Sequence, residues 1–106
     1  MIVITGEIEF HPEDAWPAMS AALAMMESSA AEDGCFVYRF YADILNPRRF
    51  RVYEEWRDEA ALQAHFRSPH MAVFQEKLGK LRVLDRRLYR MSVDVVASLG
   101  AGAGGV

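Results

Sequence analysis

Residues 62 to 71 read LQAHFRSPHM and hold two of the three histidines in the chain. Imidazole titrates near neutrality, so each could take or give a proton. His65 and His70 are five residues apart, which is not the i, i+4 spacing that sets two imidazoles on one helix face around zinc. No third His or Cys stands nearby, so no metal site is expected. Ser68-Pro69 between them reads as a helix stop and restart, with Ser as cap and Pro in the first turn. His65 then falls at a helix C-terminus, where an imidazolium favours the negative end of the dipole. His70 falls in the first turn of the next helix, where a cation opposes the dipole, and reads as a solvated surface residue. The second chemical group is Glu54 in FRVYEEW, which shares a strand parity with Phe50, Val52 and Trp56. A carboxylate on an apolar face must be paired, hydrogen-bonded or protonated. One reading is an ion pair with an arginine of the last strand, such as Arg87. The other is a base, or a group that orients His65.

The chain that must position these groups has 106 residues, enough for one domain and one core. About half the residues are hydrophobic, a quarter are charged, and the formal net charge is −3. That is ordinary globular composition without the basic footprint of a nucleic-acid binder. Cys35 is the single cysteine, so an intrachain disulfide is excluded and a reducing cytoplasm fits. No signal-peptide pattern opens the chain, and no run approaches the ~20 apolar residues of a membrane span.

MIVITGEIEF alternates like a strand, with Ile2, Ile4, Ile8 and Phe10 on one parity. Gly6 interrupts that face and suggests a bulge or a close backbone approach. His11-Pro12-Glu13-Asp14 begins a helix whose apolar stripe is Trp16, Met19, Leu23, Met26 and Ala30. Asp33-Gly34 ends it. CFVYRFYAD and FRVYEEW form a hairpin, with Phe36, Tyr38 and Phe40 on one face of the first strand and Asn46-Pro47 in the turn. Cys35 reads as a small buried hydrophobe. Asp58 caps DEAALQAHF. The helix after Ser68 carries Met71, Phe74, Leu78 and Leu81 inward. VLDRRLYRMSVDVV is the last strand, with Val83, Tyr89, Met91, Val93 and Val95 on one parity. Residues 97–106 form a Gly/Ala-rich tail read as flexible, outside a domain of residues 1–96. The order is β-α-β-β-α-β, an α+β ferredoxin-like fold with helices on one face of an antiparallel sheet. The other face carries aromatics from several strands, an apolar surface that a homodimer would cover.

Four pieces in order, Glu32-x-Gly34-Cys35-x-x-Tyr38, Asn46-Pro47-x-x-Phe50, Glu54-x-Trp56-x-Asp58 and Ala61-Leu62-x-x-His65-x-x-Ser68, resemble the antibiotic biosynthesis monooxygenase domain family. The resemblance covers roughly residues 1 to 96 and implies a dimeric α/β barrel with a pocket between sheet and helices in each protomer. It further implies oxidation of a quinol-like or phenolic aromatic by dioxygen, without metal or flavin. On that reading His65 is the proton acceptor and Glu54 its companion. Tyr38, Trp56, Phe50 and Phe66 are the walls for a planar aromatic substrate. The haem-degrading branch of the family fits less well. It carries Asn, Trp and an iron-ligating His where this chain has Gly6, His65 and Gln75, and Gln is a poor iron ligand. A non-catalytic, small-molecule-binding or stress-related barrel is the alternative.

Overall fold

The computed structural model describes residues 1–104. Its elements are β1 (Ile2–Phe10), a 3-10 turn (Pro12–Asp14), α1 (Ala15–Ala30), β2 (Cys35–Ala42), β3 (Arg49–Trp56), α2 (Glu59–Phe66), α3 (Pro69–Leu78) and β4 (Val83–Ser92). The strands form one antiparallel sheet in the order β2-β3-β1-β4. This is the ferredoxin-like arrangement the sequence implies, with its second helix divided in two. No helix among the described residues is long and apolar enough to cross a membrane.

Register decides what the helices cover. Tyr38 of β2, Glu54 of β3, Ile4 of β1 and Arg90 of β4 lie in one row across the sheet. The next row is Phe40, Val52, Gly6 and Leu88. Side chains alternate across a strand, so both rows face the helices. Gly6 is in this row because the strands meet too closely for a side chain. A Cβ there would sit 1.9 Å from the Arg87 carbonyl oxygen.

Four expectations change. The buried face of α1 is Ala18, Ala21, Ala22, Met25 and Ser29, while Trp16 is 76 % and Leu23 51 % exposed; Met19 and Met26 of the expected stripe do pack against the core. The helix is apolar most of the way round, so spacing alone admits several faces. The face of small residues wins because it lets α1 pack closely on β2 and α3. In β2, the register shifts between Cys35 and Val37. The extra residue is Phe36, which turns out to solvent, and Cys35 packs against the core beside Tyr38 instead. In β4, a register shift opposite Glu9/Phe10 puts Val83 on the helix side and Tyr89 and Met91 on the outer face. The outer face itself is mixed rather than apolar. Arg49 pairs with Glu7, Glu9 and Asp85, and Arg51 with Glu7, among Tyr41, Tyr53 and Tyr89. Beyond β4, residues 97–104 are exposed and carry no helix or strand; the part of the tail expectation at 105 and 106 lies outside the described residues.

Candidate active site

Two local caps set the helices above the sheet. The Asp58 carboxylate accepts from Ala61 N at 2.9 Å and starts α2. From that start Leu62 and His65, three residues apart, both turn inward and are fully buried. Ser68 accepts from Met71 N at 3.2 Å to start α3, and donates to the His65 carbonyl at 2.7 Å. The two helices are thus hinged at one serine, with His65 on one side and His70 on the other.

The two histidines converge, contrary to the expected separation. His65 Nδ1 lies 2.6 Å and His70 Nε2 2.9 Å from the same oxygen, Oε2 of Glu32. Glu32 stands in the turn between α1 and β2, 33 positions from His65 in sequence. His65 is therefore oriented by Glu32 and not by Glu54. Its ring packs against Trp56 at 4.6 Å and Tyr38 at 5.3 Å between centroids. Burial pushes the His65 pKa down, partly offset by the hydrogen bond and charge of Glu32. Its Nε2 is buried with no hydrogen-bond partner.

Glu54 finds a different partner from the one expected. Arg87 lies on the outer face of the sheet, opposite Glu7, and cannot reach it. Instead Trp56 Nε1 donates to Glu54 Oε1 at 2.9 Å. The carboxyl is 7 % exposed. Burial raises its pKa to about 7, the indole N–H pulls it down somewhat, and the charge of Glu32 raises it. Tyr38, beside it in the sheet row, is pushed up strongly by burial and by the Glu54 charge.

A cleft of about 380 Å³ opens between α2, α3 and the β1–β4 side of the sheet. This is the size range of small-molecule sites. Ile4, Val52 and Leu88 make its floor; Leu62, Phe66 and Phe74 make its roof. The polar residues of its lining are few: Glu54, Gln75, Arg86 and Arg90, with Tyr38 and Tyr89 at the walls. Arg90 is held by Glu59, while Arg86 faces the cleft from the row of Ile8.

Of the residues singled out from sequence, Glu54, Tyr38 and Phe66 line this cleft. His65 does not; it stands behind Tyr38 and Trp56. Trp56 is fully buried and holds Glu54 rather than walling the cleft. Phe50 packs into a separate core cluster with Ile8, Phe10 and Ala18. Glu32, Gln75, Arg86 and Arg90 carried no role in the sequence reading. Glu32 left a trace as the first residue of a motif, and Gln75 only as a poor stand-in for an iron-ligating His. Parity in β4 would have flagged the arginines only with the register shift known.

Fold and site together define a small α+β domain with one carboxyl, tuned toward neutrality, in an aromatic-roofed cleft. The family model described as antibiotic biosynthesis monooxygenase matches residues 1–77, and the chain belongs to that family. The uncharacterised protein sll1783 of Synechocystis is 36 % identical over 76 residues, 72 % of this chain and 52 % of that protein. The chain thus spans about half of that relative's length. YcnE of Bacillus subtilis, named as a candidate monooxygenase, is 31 % identical over 77 residues, 73 % of this chain and 81 % of that one. A Deinococcus radiodurans crystal structure, described as a candidate antibiotic biosynthesis monooxygenase, superposes with a TM-score of 0.87 at 21 % identity. It covers 95 % of this chain and 100 % of its own, a likeness of fold.

Proposed function

We propose that the protein is a monooxygenase-type enzyme that oxidises a phenolic or quinol-like aromatic in the cleft, with Glu54 as proton acceptor. The observation that carries this reading is the Glu54 carboxyl on the cleft wall, held by Trp56 Nε1 at 2.9 Å with a pKa of about 7. A carboxylate at its ordinary pKa is a weak base toward a phenol. Raised toward the working pH, it accepts the hydroxyl proton far more readily. The phenolate so formed is electron-rich and gives one electron to dioxygen, leaving a substrate radical and superoxide. Their recombination makes a C–O bond. Glu54 returns its proton to the peroxide, and loss of water with the hydrogen of the oxidised ring carbon leaves a quinone, so that phenol and dioxygen become quinone and water. The aromatic rings of Phe66, Phe74 and Tyr38 suit a planar substrate. His65 acts through other residues on this reading: its ring braces Trp56 and Tyr38 behind Glu54.

The reading includes a homodimer through the outer sheet face, whose tyrosines and ion pairs suit a specific interface between copies. A second reading, a barrel that binds its ligand without oxidising it, is favoured by the retreat of His65 from the cleft. Oxygen uptake separates the two. Across a panel of reduced quinols and polycyclic phenols, menadiol included, at least one should be consumed above its autoxidation rate. Binding without uptake across the whole panel would establish the second reading.

A further inference from the structure

We propose that Glu32, His65 and His70 form a binding site for a divalent transition-metal ion of the zinc type, separate from the cleft. The candidate ligand atoms, one from each residue, all lie within 4.8 Å of one another. They come from three elements: the turn after α1, the end of α2 and the start of α3. Two imidazoles and a carboxylate are a common donor set for zinc, and three protein ligands leave a fourth position for water. The nitrogen–oxygen separations are 2.6 and 2.9 Å. A tetrahedral ion with bonds near 2.0–2.1 Å needs ligand atoms roughly 3.3 Å apart, so the two nitrogen–oxygen pairs must open by about half an ångström, and the two nitrogens, within 4.8 Å of each other, must come to that same spacing.

Neither neutral tautomer of His65 satisfies both ring nitrogens. A neutral ring carries one N–H. Placed on Nδ1 it serves Glu32, but the buried Nε2 lone pair then meets no donor. Placed on Nε2 it leaves the Nδ1 lone pair facing a carboxylate oxygen 2.6 Å away. A cation between the three groups removes that repulsion. The Nε2–H then stays buried on a ring that packs against Trp56, Tyr38 and Phe66.

Access exists from the other side. The His70 and Glu32 side chains are 24 % and 15 % exposed. His70 also lines a groove of about 240 Å³ between α1 and α3, a different cavity from the cleft. A bound ion would tie the three elements together and fix the ring that braces Trp56.

The test uses the full chain, stripped with a chelator and titrated with Co²⁺, whose visible absorption reports coordination geometry. One Co²⁺ per chain should bind with a tetrahedral signature and be displaced by Zn²⁺. His65→Ala would empty a fully buried position, so the decisive variants are His70→Ala and Glu32→Gln, checked for folding by circular dichroism. Each should weaken Co²⁺ binding roughly 100-fold or more, since loss of even an outer-shell partner costs 10- to 100-fold. His11→Ala, outside the cluster, should leave it unchanged. Absence of a saturable Co²⁺ signal in the wild type, or a signal that His70→Ala leaves intact, overturns the proposal.

Discussion

Glu54 shares a strand face with Phe50, Val52 and Trp56, and the alternation of FRVYEEW makes its burial legible from sequence. Its partner was not legible. Arg87 is the right charge on the right strand, but register places it on the other side of the sheet. The short-range donor, Trp56 Nε1, is two residues away on the same face. The consequence for stability has a definite sign. The folded pKa of Glu54 is raised from 4.5 to about 7, so the folded state holds this proton more tightly than the unfolded chain does. Its contribution is fully present below pH 4.5 and is lost as pH rises through about 7. The shift corresponds to about 3 kcal/mol. Urea denaturation should therefore show the wild type losing stability from pH 5 to pH 8 relative to Glu54→Gln, which cannot titrate; parallel curves would contradict the burial of the acid. Trp56→Phe removes the N–H that favours the charged carboxylate. Any activity that depends on Glu54 as base should then shift its rising pH limb upward, visible in kcat/KM against pH. At the histidines the sequence displays spacing and a Ser-Pro break, and both are real. Their common partner, Glu32, is brought in by the chain's return through β2 and β3, which no local pattern encodes.

The helix starts were readable because capping is local chemistry. Asp58 and Ser68 each accept from the backbone N–H three residues on, as their types and positions imply. Asp58→Ala should cost about 1 kcal/mol in denaturant unfolding, and a neutral result would mean α2 does not depend on its cap. Gly6 was legible as a bulge or a close approach, because a glycine interrupting a strand's apolar face signals one or the other, and the structure shows the close approach, to Arg87 and Leu88 of β4. Gly6→Ala would drive a Cβ to 1.9 Å from the Arg87 carbonyl oxygen, so β1 and β4 must separate. That strain should cost about 2–3 kcal/mol or more, seen as a lower unfolding midpoint. The face of α1 and the course of β2 were not legible. Trp16 and Leu23 satisfy a helical period as well as Ala18, Ala21 and Met25 do, and only close packing against β2 and α3 chooses between them. The extra residue at Phe36 reverses the expected parity with no sequence mark.

At the scale of the whole molecule, element order carries the fold: β-α-β-β-α-β closes into one antiparallel sheet with helices on one side. The family resemblance implied a cleft and part of its lining, Tyr38 and Phe66, but not the rest, because Tyr38, Glu54, Ile4 and Arg90 meet across four strands. The proposed dimer makes a direct prediction. Light scattering at micromolar concentration should give twice the chain mass, and Tyr53→Glu on the outer face should shift it toward the monomer. A monomeric wild type would remove sheet-to-sheet assembly from the account. Oxidation of an aromatic in the cleft, with Glu54 taking its proton, is the proposed reaction. It is tested most directly by oxygen uptake with a substrate that the wild type consumes, compared in Glu54→Gln. The variant should fold, and its kcat should fall by ~100-fold or more, the range of a lost general base. A folded Glu54→Gln variant that consumes oxygen at the wild-type rate would contradict it.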